Sequence, residues 1–407
     1  MSRLIDSSEA ATLLGVTRQT LYSYVSRGLL RAQSATHGSG KRYLRSEVER
    51  LARRAQQGRK PRAAAGSTLD FGLPVLESAL TLIADGELWY RGQRAVALAA
   101  QATLEELACL FWSCRGEVFD DVPAGESLVP GLPDSRSENP LEAAMQRFTS
   151  LASQLAQPAR TADAATHHAH CAQLLRAMAA ALLGSDLSCE PLHLQCARAW
   201  QVDAAAAERI RAALILCADH ELNASSFTVR CVASTGASLH MALCAGLAAL
   251  SGPRHGVASE RVETLLDSLM MQSVPTHIDA LLAARPAGAI PGFGHRLYPA
   301  GDPRAAFMLR GLPDAPVLSE LCEYVEQRCA DRPNLDFGLV VLRRALGLPR
   351  GAASLIFCLG RTVGWLAHAL EQRDQGALIR PRAHYTGRLP EARRPTPQNV
   401  RVLRMGR

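Results

Sequence analysis

Four short polar clusters interrupt the second half of a chain otherwise rich in Ala and Leu. They are Cys217-Ala-Asp-His-Glu-Leu-Asn-Ala-Ser-Ser-Phe-Thr228, Gly252-Pro-Arg-His-Gly256, Pro291-Gly-Phe-Gly-His-Arg296 and Pro333-Asn-Leu-Asp-Phe337. Each sets one His or Asp beside Gly, Pro or Asn. Such groups are poor core material and good proton-transfer material. A carboxylate can take a proton from a weak carbon acid if the developing enolate is stabilised. A histidine stabilises it by donating a hydrogen bond to the carbonyl oxygen, and a second histidine can polarise an electrophilic carbonyl. His220, His255, His295 and Asp336 are spread over about 115 residues, so only a fold can gather them. Arg304 in Asp302-Pro-Arg304, Arg361 in Gly360-Arg-Thr-Val-Gly364 and Arg380 in Ile379-Arg-Pro-Arg382 suit a substrate with two carboxylates, which guanidinium forks bind at two points. The residues themselves reach as far as acid–base chemistry on a small anionic substrate.

The elements that must position these groups are helical. From about residue 69 onward, helical periodicity predicts helices at 75–84, 96–114, 141–156, 171–184, 204–219, 239–250, 259–272, 303–310, 316–330, 337–346 and 353–372. Strand signals are sparse, so the body is mainly α. The Pro/Gly-rich part at 122–140 is expected to be a surface loop.

Residues 1–54 read as a separate module. Serines near Ser7 are expected to cap a first helix, Gly15-Val16 to turn, and Thr17 to cap a second helix, Arg18 to Arg27, ended by Gly28. Residues 36–44 read as a flexible β-turn between two short extended pieces, and Ser46 to Arg54 as a third helix. Residues 55–68 read as a linker. Residues 1–66 carry 13 Lys and Arg against 4 Asp and Glu, whereas the remainder carries 32 against 34. A basic head on a near-neutral body predicts a polyanion as its partner.

Other signals set limits. The eleven cysteines are scattered without a C-x-x-C pair, which fits reduced, mostly buried thiols. No uncharged apolar run has the length of a membrane span and no signal peptide is evident, so the expected location is cytoplasmic, with no membrane partner. Gly38-Ser-Gly-Lys41 lacks the upstream Gly and following Ser or Thr of a phosphate loop. His167-His168-Ala-His170 reads as a solvated loop or helix start, and no metal site is expected.

The head resembles the excisionase or MerR-like winged helix-turn-helix module at Ser8-Glu-Ala-Ala-x-x-Leu-Gly-Val-Thr17, Thr20-Leu-Tyr22, Arg27-Gly-Leu-Leu30 and Lys41-Arg-Tyr43. The resemblance implies that the second helix enters the DNA major groove, with Arg18, Gln19, Tyr22 and Ser23 as contacts, while Lys41 and Arg42 on the wing meet phosphates. The competing reading is a basic helical module that binds a protein or packs on the body.

The body resembles the citrate synthase family. The shared motifs run in order through Asp85-Gly-Glu-Leu-Trp-Tyr-Arg-Gly92, Thr103-Leu-Glu-Glu-Leu107, His220-Glu-Leu-Asn-Ala-Ser225, Val232-Ala-Ser-Thr-Gly-Ala237, Leu250-Ser-Gly-Pro-Arg-His-Gly256, Gly292-Phe-Gly-His-Arg-Leu-Tyr298, Asp302-Pro-Arg-Ala305, Pro333-Asn-Leu-Asp-Phe337, Arg361-Thr-Val-Gly-Trp-Leu-Ala-His-Ala-Leu-Glu-Gln372 and Ile379-Arg-Pro-Arg382. The resemblance implies a helical dimer whose body at 69–390 has a small domain, roughly 256–355, inserted in a large one, followed by a tail at 391–407. It implies condensation of acetyl-CoA with oxaloacetate, without metal or cofactor. Asp336 is then the base, His255 the donor to the thioester oxygen and His295 the group that polarises the ketone. His220, Arg304, Arg361 and Arg380 hold oxaloacetate, Arg380 from the other subunit, with Arg382 as its competitor. Pro291, Gly292, Phe293, Gly294 and Arg296 are the coenzyme A contacts. His368 reads as packing or dimer surface.

The departures from the family pattern are Ser259 where Asn is usual, Arg254 for an apolar residue, and Gly338-Leu339 for Tyr-Ser. Two alternatives accompany the citrate synthase reading. One is 2-methylcitrate synthase, using propionyl-CoA. The other is a DNA-binding regulator whose body senses acyl-CoA or oxaloacetate.

Overall fold

Asp6, at the end of the strand Leu4–Asp6, acts as a helix cap. Its Oδ1 accepts the amides of Ser8 at 2.8 Å and Glu9 at 2.9 Å, satisfying donors that open the helix Ser7–Leu14. The expected serine caps are therefore displaced by one position, because Ser7 and Ser8 already lie inside the helix. A computed structural model of the chain describes residues 4–14, 16–26, 30, 32–34, 41–44, 48, 76–120, 140–159, 161–253, 255–256, 258–284, 290–383 and 385–387. These belong to two units, Met1–Glu77 and Ser78–Arg407.

In the first unit Thr17 caps the helix Arg18–Ser26 as expected, its hydroxyl accepting the Thr20 amide at 3.3 Å. Strand Lys41–Leu44 pairs antiparallel with Leu4–Asp6 on one side and Ala32–Ser34 on the other, with Tyr43 opposite both Ile5 and Ala32. Ile5, Ala10, Ala11, Leu14, Leu21 and Tyr43 form its core. Of the expected third helix at 46–54, only Val48 is described, and it joins that core. Gly15, Gly28, the linker at 55–68 and the tail at 391–407 lie outside the described residues, as does most of the expected surface loop at 122–140.

The second unit is mainly helical, with one correction at its start. The helix expected at 75–84 is not formed by the described residues 76–84. Thr81–Ala84 is a strand paired with Glu87–Tyr90 across a two-residue turn, in which Asp85 and Gly86 both have positive φ, 54° and 76°. Asp-Gly is the pair such a hairpin turn demands, and it overrides the local helical period. The segment expected at 96–114 is two helices, Ala95–Gln101 and Leu104–Trp112. Thr103 and Glu106 form a capping box that restarts the chain between them. The helices Leu192–Ala199, Ala224–Ser234 and Val274–Ala284 were not anticipated, and Ala164–Leu183 starts earlier than expected.

The core lies among Ala164–Leu183, Ala204–Cys217 and Ala352–Gln375, whose Ala and Leu residues are almost all buried. By length and composition Ala352–Gln375 could cross a membrane, but most of it is buried inside the unit. Gly360 and Gly364 let it touch its neighbour. A Cβ at Gly360 would sit 2.3 Å from the Leu214 carbonyl oxygen, and one at Gly364 2.3 Å from that of Ala218. This contact brings Arg361 against the C-terminal end of Ala204–Cys217, beside Asp219 and His220.

Candidate active site

His220 follows the end of Ala204–Cys217, and Tyr90 anchors that end. The Tyr90 hydroxyl lies 3.2 Å from both the Ile215 and Asp219 carbonyl oxygens and 3.4 Å from that of Leu216, at the place where the helix stops. Arg91 ties the same hairpin to the Phe111 carbonyl at 2.7 Å. Three rings then meet. His220 and His295 are 5.0 Å apart at their centroids, Tyr298 lies 5.0 Å from His295, and the Tyr298 hydroxyl is 3.0 Å from His220 Nε2. A turn places Tyr298, its amide donating to the His295 carbonyl at 2.9 Å.

The loop carrying His295 is fastened to the segment that leads to Asp336. The Gly294 amide donates to the Arg332 carbonyl and the Asn334 amide to the Gly292 carbonyl, each at 2.9 Å, and Phe293 bridges to Pro333. Asn334 caps the helix Leu335–Ala345, with its Oδ1 accepting the Asp336 amide at 3.0 Å. Asp336 thus stands in the first turn. Gly338 lets this helix lie close to Pro303–Leu309, since a Cβ there would be 3.2 Å from Ala305 Cα. Asp336, in the first turn of the same helix, lies within electrostatic reach of Arg304.

Arg304 is buried and paired with Asp302 through Nε at 2.9 Å and Nη2 at 2.7 Å, while Asp302 also accepts the Leu335 amide at 3.2 Å. Arg361 is buried too. Its Nε donates to the Cys217 carbonyl at 2.7 Å, and its guanidinium stacks on Phe357. His255 occupies the turn after Leu239–Leu250, and its Nε2 lies 2.8 Å from the Ser225 hydroxyl. That hydroxyl donates its proton to Asn223 Oδ1 at 2.8 Å and accepts from the Trp365 indole at 3.1 Å. Ser259, at the Asn departure, pairs with Ser354 at 2.7 Å, and Ser354 reaches the Gly256 carbonyl. A hydroxyl pair therefore braces the turn that carries His255. Arg254 lies outside the described residues.

The electrostatics separate the groups. Burial raises the Asp336 carboxyl from 3.8 to about 6, with the positive charge of Arg304 opposing the shift. Burial lowers the His255 and His295 imidazoles to about 4, helped by Arg361 in the first case and Arg304 in the second. Burial also holds His220 well below its ordinary range, with Arg304, His295 and Arg361 adding to the effect. The charge of Arg361 bears on His220, His255 and Asp336 alike, so these groups share one neighbourhood. One carboxyl poised near neutrality among neutral imidazoles and buried guanidinium groups is equipped for proton abstraction beside an anion.

Other expected residues sit apart from this cluster. Phe293 is buried against Phe337 at 4.9 Å, so its ring packs in the core. Pro291 is half-buried and Arg296 exposed. Arg380 and Arg382 are exposed in the irregular segment after Gly376, where the Ile379 amide donates to Ser234. His167 and His168 open the helix Ala164–Leu183 and His170 is buried within it; the described residues contain no cluster able to hold a metal. In the first unit Gln19, Tyr22, Lys41 and Arg42 are exposed, with the Lys41 ammonium 5.6 Å from the centre of the Tyr22 ring. The side chains of Arg18 and Ser23 are outside the description.

Residues 70–382 match the family described as citrate synthase, C-terminal domain. The chain belongs to the citrate synthase family. Residues 4–56 match a helix-turn-helix domain. Citrate synthase 2 of Bacillus subtilis is 39% identical over 191 residues, which is 44% of this chain and 51% of that protein. The chain thus spans about half the length of the curated relatives it matches. Citrate synthase from Thermotoga maritima superposes with a TM-score of 0.62 at 25% identity, covering 79% of this chain and 98% of that one. The Thermoplasma acidophilum citrate synthase, in ternary complex with carboxymethyl coenzyme A and oxaloacetate, gives 0.62 at 21% identity over 79% and 97%, a likeness of fold.

Several residues that build this candidate site carried no assigned role in the sequence. Tyr90, Tyr298, Ser225 and Asp302 all lie inside the family motifs, but their work is to hold neighbours. The available signal was position: Tyr298 stands three residues after His295, close enough for a single turn to stack the rings.

Proposed function

We propose that the chain condenses acetyl-CoA with oxaloacetate to give citrate and CoA. The observation that carries this reading is the convergence of His220, His255 and Asp336 around the charge of Arg361, with Asp336 poised at about 6. Oxaloacetate pairs its carboxylates with Arg304, Arg361 and His220. The Asp336 carboxylate takes a methyl proton from the thioester as His255 donates to the thioester oxygen. The enol carbon attacks the oxaloacetate ketone while His295 polarises it with a hydrogen bond to the ketone oxygen; the proton taken by Asp336 is passed on to the new hydroxyl, and water then cleaves the citryl thioester to release CoA. For His255 to donate while Nε2 faces Ser225, its proton must sit on Nδ1, so the Ser225 hydroxyl must swing its one proton from Asn223 Oδ1, where it rests, to Nε2. The loop at 291–296 meets coenzyme A through its backbone and Arg296. The segment at 256–355 closes over the substrates as a small domain and excludes water from the enol. Arg380, exposed on its own chain, completes the site of a second copy in a homodimer.

The first unit is proposed to be an excisionase or MerR-like module that binds duplex DNA, with Arg18, Gln19, Tyr22 and Ser23 at the bases and Lys41 and Arg42 at the phosphates. The exposed Tyr22–Lys41 pair supports this reading. Release of free thiol from acetyl-CoA plus oxaloacetate tests the synthase, and propionyl-CoA in the same assay tests the 2-methylcitrate alternative. Oxaloacetate binding without thiol release from either would leave the sensor reading in place. DNA affinity that falls steeply with salt and is lost on deleting residues 1–60 tests the module.

A further inference from the structure

Buried polar side chains that the condensation does not use converge on Asp219, the residue before His220. Asp219 is fully buried. Its Oδ2 accepts from the Thr81 hydroxyl at 2.6 Å, and its Oδ1 lies 3.1 Å from His368 Nε2. The Tyr90 hydroxyl holds its carbonyl. On the far side of the imidazole, His368 Nδ1 lies 2.9 Å from Arg230 Nη1. A guanidinium has donors only, so His368 Nδ1 accepts and the proton of the neutral ring sits on Nε2, directed at Asp219. Arg230 is itself fully buried, with Glu371 at 2.6 Å and the side-chain carbonyls of Gln372 and Gln375 each at 3.1 Å. Glu371 is fixed in turn by the Ala79 amide at 2.8 Å.

The chain of contacts therefore has a direction, from the Arg230–Glu371 pair through His368 to Asp219. Burying two charged carriers and an imidazole is costly, and apolar residues of similar volume would often hold a fold at least as well. The arrangement does something packing alone would not. It fixes one carboxylate, and with it the peptide from which His220 projects. Burial opposes ionisation of Asp219, but His368, Arg361 and Thr81 more than offset it, and the group stays below its ordinary range as a carboxylate.

We propose that His368, oriented by Arg230, is a positioning residue for oxaloacetate binding: it acts through Asp219 to hold His220 in the rotamer that meets the substrate. His368 thus acts at a distance, from a place where the sequence pointed to packing or a dimer surface. The inference rests on the substrate assignment above and adds a residue to it.

The test is the full chain with His368→Leu, His368→Gln and Thr81→Val, each checked for a cooperative melt. Thiol release gives KM for both substrates and kcat; calorimetric titration gives oxaloacetate affinity. His368→Leu should weaken oxaloacetate by roughly ten- to a hundred-fold, the scale of a lost hydrogen bond to a buried charge, and change the acetyl-CoA KM less than about two-fold. His368→Gln, whose amide can still donate to Asp219, should recover most of the loss. Thr81→Val, at the partly exposed hairpin, should give a smaller loss of the same kind, and serves if the leucine variant does not fold. Unchanged oxaloacetate affinity in a folded His368→Leu protein, or in Thr81→Val if only that one folds, overturns the proposal. An equal loss for both substrates also overturns it, since that is what general loosening produces. If the wild type binds oxaloacetate but releases no thiol, the condensation reading fails, and the affinities alone still decide the role of His368. A wild type that does not bind oxaloacetate overturns both.

Discussion

The backbone amide of Leu297 donates to His295 Nδ1 at 3.2 Å. A backbone N–H cannot accept, so the neutral imidazole carries its proton on Nε2 and can donate from there. The His255 and His295 rings are lowered to about 4, so both are neutral throughout the physiological range. Asp336, raised to about 6, is the group that changes charge there. As a base it works only when ionised. The logarithm of kcat/KM should therefore rise with unit slope as pH increases toward about 6 and level off above it, with no limb from histidine between pH 6 and 8. A second titration near 7 would place an active imidazole outside these assignments.

The same carboxyl makes a stability prediction. Its folded value, about 6, lies above its ordinary 3.8, so the folded state holds the proton more tightly than the unfolded chain. Stability from this group is thus full at low pH, falls as pH rises from 3.8 to about 6, and stays reduced above that. Asp336→Asn removes the titration. It should melt higher than wild type at pH 7.5, and the gain should vanish near pH 4. Thiol release should fall by orders of magnitude in the same variant. A melt unaffected at both pH values would mean that the carboxylate is not strained by burial.

How much of this was legible in the sequence depends on what each residue does. His220, His255, His295 and Asp336 stand out in the sequence because each lies in a polar segment that breaks a helical period, and that break is itself a local signal. The Thr81–Tyr90 hairpin was missed because four apolar-rich residues fit a helical period as well as a strand; only the Asp85-Gly86 turn decides between them. His368 reads as packing because it is one His on a long apolar helix, and it is indeed fully buried there; its hydrogen bonds were not legible. Its partners, Asp219 and Arg230, lie about 140 residues away and have no mark of their own. Direct chemistry leaves local traces, whereas residues that hold others depend on distant neighbours that only the fold supplies.

Gly364 offers a test of the helix contact that places Arg361. Alanine is a better helix former than glycine by roughly 1 kcal/mol, so propensity alone favours Gly364→Ala. The added Cβ would stand 2.3 Å from the Ala218 carbonyl oxygen and 3.0 Å from Asp219 Oδ1, which are backbone and a tethered carboxylate. Forcing volume into such a contact costs about 1–3 kcal/mol. Overpacking should win. Gly364→Ala should lower the urea midpoint and raise the oxaloacetate KM as Arg361 and His220 move apart. A more stable variant would show that the two helices can separate freely.

Arg380 gives a test of subunit sharing. On its own chain it is exposed, in the segment held to Ser234 through Ile379. If it reaches the site of a second copy, His295→Ala and Arg380→Ala chains should each be nearly inactive alone. In a mixed dimer, one site combines both lesions. The other takes His295 from the Arg380→Ala chain and Arg380 from the His295→Ala chain, and is intact. Random pairing makes about half of the dimers mixed, each with one working site of two, so co-refolding should restore roughly a quarter of wild-type thiol release. If Arg380 serves its own chain, every site in the mixture carries a lesion and nothing is restored. Repeating the mixture with Arg382→Ala in place of Arg380→Ala identifies which of the two arginines crosses.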